Sequence, residues 1–203
     1  VVNPNNPDGR VIERSRLLAL AEKLRAKGGL LVVDEAFMDV GPSEQSLAGD
    51  VGQGGIVVLR SFGKFFGLAG VRLGFALAEP GTAGRLETQL GPWAVSGPAL
   101  EYGCRALGDR DWQEAMRAKL HAESERLDAL FLDHNVPGDG GTPLYHYLDF
   151  PQAAGLFSAL GRRGILLRHY EDRPTVLRAG LPGSEEEWSR LEIALREWGK
   201  ERH

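Results

Sequence analysis

Short apolar runs that end at polar residues are the feature of this sequence that most limits its possible folds. Residues 30–33 and 56–59 are uninterrupted apolar runs, and residues 71–77 form a third, interrupted one. Runs of this length are typical of strands that are covered on both faces, as in parallel sheets. Because an amphipathic helix is predicted around residues 17–24, strands and helices alternate along the chain. The pattern therefore predicts an α/β fold with a mostly parallel sheet.

Three polar residues mark the predicted strand ends. Asn6 lies shortly after the apolar start of the chain, Asp34 follows the first run, and Ser61 closes the second. In open α/β sheets, ligands bind beyond the carboxyl ends of the strands. Polar residues also end strands that have no binding role, so each position alone is open to either interpretation.

The second part of the chain has helical and then mixed patterning. Residues 96–107, and a longer stretch that reaches about residue 134, carry apolar residues at helical spacing. A loop rich in Gly, Pro and Asp at residues 135–143 then predicts a domain boundary. Beyond it, short strands and helices alternate. We therefore expect part of a large domain at residues 1–134 and a small α+β domain at residues 135–203.

Composition excludes several classes of function. The 203 residues are 42% hydrophobic and 26% charged, which is the ordinary globular range. The net charge of −4 and the scattered arginines argue against a nucleic-acid partner, and no apolar run is long enough to cross a membrane. Cys104 is the only cysteine, so no intrachain disulfide and no Cys-rich zinc site is expected, and a reducing cytoplasm is predicted. Val1 and Val2 have the pattern of the end of a buried strand, so we expect the chain to begin in mid-fold.

Lys64 is the one lysine in a long, otherwise apolar and Gly-rich segment, residues 61–74. Burial there would favour the neutral amine, the form that acts as a nucleophile and later as a general base. Ser61 and Arg72 flank it with a hydroxyl and a guanidinium, a pair suited to a phosphate group. A lysine whose charged end reaches the solvent is the alternative interpretation.

Four segments carry a resemblance to a known family: residues 3–9, 34–37, 61–74 and 177–182. In order and spacing they resemble the lysine region and the C-terminal arginine motif of fold-type I enzymes that use pyridoxal 5′-phosphate (PLP), the class I and II aminotransferases. The resemblance covers essentially the whole chain. It implies an α/β fold made of part of the PLP-binding large domain and a small C-terminal domain.

The resemblance also implies a set of cofactor-binding residues. Lys64 would form the Schiff base with PLP, and Asp34 would pair with the pyridine nitrogen so that the ring accepts electrons. Asn6 would donate a hydrogen bond to the phenolic oxygen of the cofactor. Ser61 and Arg72 would hold the phosphate.

Within the family, this sequence is most similar to histidinol-phosphate aminotransferases and to the threonine-phosphate decarboxylases of cobalamin biosynthesis. Phe37 occupies a position where the aminotransferases usually have Tyr, and a phenyl ring cannot donate a hydrogen bond to the cofactor. Residues 6–9 read Asn-Pro-Asp-Gly instead of the usual Asn-Pro-Thr-Gly. These departures, together with residues 91–99, favour the decarboxylases.

The resemblance further implies the reaction and its partners. The expected reaction is decarboxylation of L-threonine O-3-phosphate to (R)-1-amino-2-propanol O-2-phosphate, and the alternative is amino transfer from histidinol phosphate or a related amino acid. Arg178 would clamp the substrate carboxylate, and Arg168 is a candidate for the phosphate or carboxylate, although a solvated arginine is an equally good interpretation. A homodimer of the full-length protein and a cis peptide bond between Asn6 and Pro7 are also implied.

Two other classes of function share single features with this sequence. The spacing Ser61-x-x-Lys64 matches the nucleophile motif of penicillin-recognising hydrolases, but the Ser-Asp-Asn and Lys-Thr-Gly elements of that fold do not occur here. A non-enzymatic fragment or binding module stays open. By the resemblance, the cofactor-phosphate loop and the aromatic residue that stacks on PLP lie upstream of the position matching Val1.

Overall fold

The computed structural model describes residues 1–201, and the chain divides into two compact units. The first unit comprises Val1–Asn6 and Arg10–Met116. The second comprises Pro7–Gly9 and the chain from Arg117 onward.

The first unit contains a three-stranded sheet with helices before and after it. Its strands lie in the order β1-β2-β3; β1 and β2 are parallel, and β2 and β3 are antiparallel. The α/β class is thus confirmed, and the third strand differs from the expected parallel direction. The elements are α1 (Arg14–Arg25), β1 (Leu31–Asp34), β2 (Ile56–Ser61), β3 (Gly74–Ala78), α2 (Pro80–Leu90), α3 (Gly97–Gly108) and the first seven residues of α4 (Arg110–Asp133).

The core of the first unit forms where α1 packs on the sheet. Leu17 and Ala21, four residues apart on one face of α1, are buried together with Val33 and Val58 of the two parallel strands. The strand residues are fully buried, with 0% exposure. This packing fixes β1 and β2 side by side, so that their carboxyl ends reach the same edge of the sheet.

The second unit contains a four-stranded antiparallel sheet in the order β4-β5-β7-β6. One face of the sheet packs on α5, α6 and the second half of α4, where Leu148, Leu156 and Leu195 are fully buried. The elements are β4 (Gly140–Thr142), β5 (Tyr145–Asp149), α5 (Ala153–Gly161), β6 (Arg168–His169), β7 (Val176–Gly180) and α6 (Glu185–Glu201).

The two units divide inside the continuous helix α4, after Met116, and not at the loop of residues 135–143. Leu127 and Phe131, in the second half of the helix, are buried in the core of the second unit. The short segment Pro7–Gly9 also belongs to that unit, because the Gly141 N–H donates a 3.0 Å hydrogen bond to the Asp8 carbonyl oxygen. The compact units therefore differ from the domain bounds expected from sequence, and the assignment of residues 1–134 to a cofactor-binding domain stays a prediction.

Candidate functional site

Asp34 and Ser61 lie at the carboxyl ends of two neighbouring parallel strands. Asp34 is the last residue of β1 and pairs in register with Leu59, two residues before the end of β2. The Asp34 carboxylate accepts a 3.0 Å hydrogen bond from the Ala36 N–H, and the Ser61 hydroxyl oxygen accepts one of 3.1 Å from the Gly63 N–H. Each side chain thus fixes the turn that follows its own strand, at the edge where α/β sheets bind ligands.

Asn3 anchors the loop that carries Asn6, a role that the sequence analysis did not assign. Asn3 is fully buried at 0% exposure, and its N–H donates a 2.8 Å hydrogen bond to the Asp34 carbonyl oxygen. Its side-chain amide forms two further hydrogen bonds with the backbone of Ile12, at 2.8 and 3.2 Å. The loop is therefore tied to the end of β1, while Asn6 itself is exposed.

The prediction of a cis peptide bond between Asn6 and Pro7 is wrong. The cis bond of the described chain lies between Asn3 and Pro4, and the Asn6–Pro7 bond is trans. The sequence contains two Asn-Pro pairs three residues apart, and local pattern does not distinguish them.

Lys64 is exposed, which contradicts the expected burial of its amine. The aromatic neighbours Phe62 and Phe65 turn inward, at 2% and 5% exposure, and the loop after β2 leaves Lys64 outside. Its Nζ lies 5.3 Å from the centroid of the Phe37 ring, within the range of a cation–π interaction. Because Phe37 follows Asp34 by three residues, this contact joins the Asp34 segment to the Lys64 segment.

Arg72 ends a short 3₁₀ turn, Ala69–Val71, in the left-handed conformation, with φ of 56° and ψ of 44°. This conformation is uncommon for a residue other than Gly, Asn or Asp. Its Nη1 donates a 3.1 Å hydrogen bond to the Ala69 carbonyl oxygen, and the side chain is exposed. Asn6, Asp34, Ser61, Lys64 and Arg72 all belong to the first unit.

The structure brings the two candidate substrate arginines together in the second unit. Arg168 of β6 and Arg178 of β7 are direct cross-strand partners, and Tyr147 of β5 is the partner of Arg178 on its other side. Residues that face each other across strands project from the same face of the sheet, and two like charges so placed repel one another. An anion bound between them would reduce that repulsion. The substrate-binding role of the two arginines stays a prediction.

Tyr145 borders the arginine pair. The guanidinium carbon of Arg178 lies 5.1 Å from the centroid of the Tyr145 ring. Burial raises the pKa of Tyr145 to about 12, and the positive charge of Arg178 opposes this only in part. The phenol is therefore neutral at physiological pH and keeps its proton as a hydrogen-bond donor.

Two further classes of site find no support in the part of the chain that the structure describes. No helix within residues 1–201 has the length and apolar character needed to cross a membrane. Within the same residues, no three His, Cys, Asp or Glu side chains are grouped as metal ligands.

Comparison with protein families places this chain among known enzymes. Residues 1–195 match the model of the family described as aminotransferase class I and II. The chain belongs to this family. The match covers both compact units, including the two segments that carry the lysine and the paired arginines.

Two curated relatives are similar to this chain over most of its length. The chain is 51% identical over 195 residues to a threonine-phosphate decarboxylase from Pseudomonas aeruginosa, a match that covers 96% of this chain and 58% of the relative. It is 47% identical over 182 residues to a threonine-phosphate decarboxylase from a Sinorhizobium species, which covers 89% of this chain and 54% of the relative. The chain thus spans just over half the length of these curated relatives.

The fold also matches solved structures. The crystal structure of histidinol-phosphate aminotransferase from Sinorhizobium meliloti, in complex with pyridoxal-5′-phosphate, superposes with a TM-score of 0.86 at 23% identity. The match covers 100% of this chain and 57% of that one. At this identity the likeness establishes the fold, which is that of the PLP-dependent aminotransferases.

Proposed function

We propose that this chain is part of a PLP-dependent enzyme that decarboxylates L-threonine O-3-phosphate to (R)-1-amino-2-propanol O-2-phosphate in cobalamin biosynthesis. The observation that carries the proposal is the cross-strand pair of Arg168 and Arg178. A substrate with both a carboxylate and a phosphate needs two cationic groups near each other, and arginine binds both kinds of anion in bidentate fashion. The 51% identity to a threonine-phosphate decarboxylase supports the same conclusion.

The residues at the edge of the first sheet fit PLP by their chemistry. We assign the Asp34 carboxylate to accept a hydrogen bond from the protonated ring nitrogen, and the Asn6 amide to donate one to the phenolic oxygen. Ser61 and Arg72 supply a hydroxyl and a guanidinium for the phosphate. Lys64 supplies the amine that attaches the cofactor covalently, and its exposed position leaves Nζ accessible to it.

When bound, PLP supplies an acceptor for the electron pair that is left as the bond to carbon dioxide breaks. The chain has to orient that bond and to handle one proton. Arg178, held on β7, would bind the substrate carboxylate, and Arg168 would bind the substrate phosphate. Lys64 Nζ would deliver a proton to the alpha carbon of the substrate.

Amino transfer from histidinol phosphate is the second candidate, favoured by the fold match to a histidinol-phosphate aminotransferase. Histidinol phosphate carries no carboxylate, so it would give only one of the paired arginines an anionic partner. Phe37 also removes the hydrogen-bond donor that Tyr supplies in the aminotransferases. Both points favour the decarboxylase.

The reaction distinguishes the two candidates. The full-length enzyme should release carbon dioxide from L-threonine O-3-phosphate with no keto-acid acceptor present, and the aminopropanol phosphate should form in equal amount. The matched reaction contains histidinol phosphate and 2-oxoglutarate and is assayed for glutamate. Glutamate formation without any release of carbon dioxide from threonine phosphate would establish an aminotransferase.

The cofactor assignment has its own test. Borohydride reduction of the full-length enzyme loaded with PLP should fix the cofactor to the peptide that contains Lys64, and Lys64→Ala should abolish both labelling and turnover. A label on Lys23, Lys27 or Lys119 would contradict the assignment.

We also propose that the full-length enzyme is a homodimer located in the cytoplasm. Light scattering of the purified protein measures its oligomeric state.

A further inference from the structure

A partly buried ionic network joins the segment after β1 to the end of β2. Arg60 lies at its centre, with Nη2 at 3.1 Å from Glu35 Oε2 and Nη1 at 2.9 Å from Asp39 Oδ1. Arg60 Nη2 also donates a 3.1 Å hydrogen bond to the Ser46 hydroxyl. Glu35, Asp39, Ser46 and Arg60 are called the Arg60 network below.

Glu35 is the most enclosed member of the Arg60 network. It is 0% exposed, and both of its carboxylate oxygens are engaged. Oε2 accepts a 2.6 Å hydrogen bond from the Ser46 hydroxyl, and Oε1 accepts one of 2.7 Å from the Leu47 N–H. A carboxylate removed from water in this way depends on its partners, because an unpaired buried charge is costly.

The network lies one residue away from both strand-end groups. Glu35 directly follows Asp34, and its N–H donates a 2.9 Å hydrogen bond to the Leu59 carbonyl oxygen. Arg60 directly precedes Ser61 in β2. Since successive side chains of a strand alternate in direction, Arg60 holds the backbone from the side opposite to Ser61. The Arg60 network therefore links the segment after Asp34 to the end of β2 from the side opposite to Ser61.

We propose that Glu35 and Arg60 are positioning residues that hold Asp34 and Ser61 at the separation that bound PLP requires. The inference rests on the proposed function of the strand-end residues. The binding affinity of a cofactor that is held at its ring nitrogen and at its phosphate depends on the distance between the two protein groups that make those contacts. Loss of the Glu35–Arg60 ion pair lets that distance vary, and cofactor affinity falls before the fold is lost.

The test uses the full-length enzyme and a matched control in the same unit. Glu35→Gln removes the ion pair and keeps the shape of the side chain. Asp50→Asn is the control, because Asp50 is also buried, at 4% exposure, and its Oδ2 accepts a 2.9 Å hydrogen bond from Arg14 Nε. The unfolding midpoint of each apo-protein and the dissociation constants for PLP and for pyridoxamine phosphate, which makes no covalent link to Lys64, are measured.

Glu35→Gln should raise both dissociation constants about tenfold or more, whereas Asp50→Asn with a similar unfolding midpoint should leave them within about twofold. Arg60→Lys keeps the charge but not the planar guanidinium that reaches two carboxylates, so it should raise the dissociation constants by an intermediate factor. It replaces Glu35→Gln as the test if that variant does not fold. Wild-type affinity in Glu35→Gln or Arg60→Lys, or an equal loss in Asp50→Asn, would overturn the inference and leave the proposed function intact. Failure of the wild-type enzyme to bind PLP would instead remove the proposed function, and this inference with it.

Discussion

At the residue scale, the proposed chemistry depends on the negative charge of Asp34. An asparagine at this position can still form a hydrogen bond with the ring nitrogen of PLP, but it has no negative charge to stabilise a positive charge on that nitrogen. Asp34→Asn should therefore retain PLP with near-normal affinity and lose turnover by roughly a hundredfold or more, about 2.7 kcal/mol in transition-state stabilisation. Absorbance of the bound cofactor and the rate of carbon dioxide release measure the two effects separately. Near-normal turnover would show that another group arranges the electron acceptor.

The sequence predicted which residues lie at the strand ends better than it predicted their surroundings. Asp34 and Ser61 follow from apolar runs that end at polar residues, and the structure places both at one edge of the sheet. The exposure of Lys64 was not predictable, because it depends on the inward direction of the aromatic residues beside it. The contacts of Asn3 and of Glu35 join residues 9 to 31 positions apart, and no local pattern encodes them.

At the element scale, the start of α6 has an N-terminal capping motif whose contribution to stability can be tested. Ser184 and Glu187 have capping-box spacing: the Ser184 hydroxyl accepts a 3.3 Å hydrogen bond from the Glu187 N–H, and Glu187 accepts one of 2.6 Å from the Gly183 N–H. Ser184→Ala should destabilise the protein by about 1 kcal/mol in urea unfolding. Ser189→Ala, an exposed mid-helix control, should cost little, because alanine has the higher helix propensity. Equal effects of the two variants would show that the cap contributes nothing.

His146 connects β5 to α4 and gives the second unit a pH dependence. Its Nδ1 lies 2.7 Å from Asp128 Oδ1, and its Nε2 lies 3.2 Å from the Ser124 hydroxyl. Burial lowers the pKa of His146 below its ordinary value of 6.5, and the carboxylate of Asp128 offsets this only in part. The unfolded chain therefore binds the proton more readily than the folded one, so this contribution to stability is complete above pH 6.5 and is lost as the pH falls from there towards the folded pKa.

Chemical unfolding across that pH window measures the effect. The wild-type protein should lose more stability between about pH 7.5 and 5.5 than His146→Gln does, because glutamine does not titrate. His121→Gln, at an exposed position of α4, is the control and should follow the wild type. A pH dependence that is unchanged in His146→Gln would assign the effect to other groups.

Most helices and strands were predicted from the sequence, but helix α2 and the strand Gly140–Thr142 were not. Helical spacing of apolar residues predicts α1 and α4, and apolar runs predict β1 and β2; both patterns are local signals. The strand Gly140–Thr142 lies in a segment that has the composition of a loop, because its glycines show no alternation of apolar and polar side chains. It is a strand because its backbone pairs with Tyr145–Asp149. The antiparallel direction of β3 and the position of Arg168 opposite Arg178 likewise arise from chain topology, which the sequence pattern does not contain.

At the scale of the whole molecule, the two units carry residues with different proposed roles. The first unit contains the residues assigned to PLP, and the second contains the arginines assigned to the substrate. Variants in the second unit should therefore weaken substrate binding without releasing the cofactor. Arg178→Gln should lower kcat/KM for L-threonine O-3-phosphate by at least about thirtyfold, since loss of a charged hydrogen-bonded partner costs roughly 2–5 kcal/mol.

The control for Arg178→Gln is Arg196→Gln, which removes an exposed arginine of the same unit whose ion pair with Glu192 lies on the surface of α6. Surface pairs of this kind contribute little, so kcat/KM should stay within about twofold of wild type. The dissociation constant for PLP should be unchanged in both variants, because neither arginine belongs to the first unit. An Arg178→Gln enzyme that loses PLP, or that keeps its kcat/KM, would contradict the assignment of cofactor binding to the first unit and substrate binding to the second. A lower kcat/KM with full cofactor occupancy would support it.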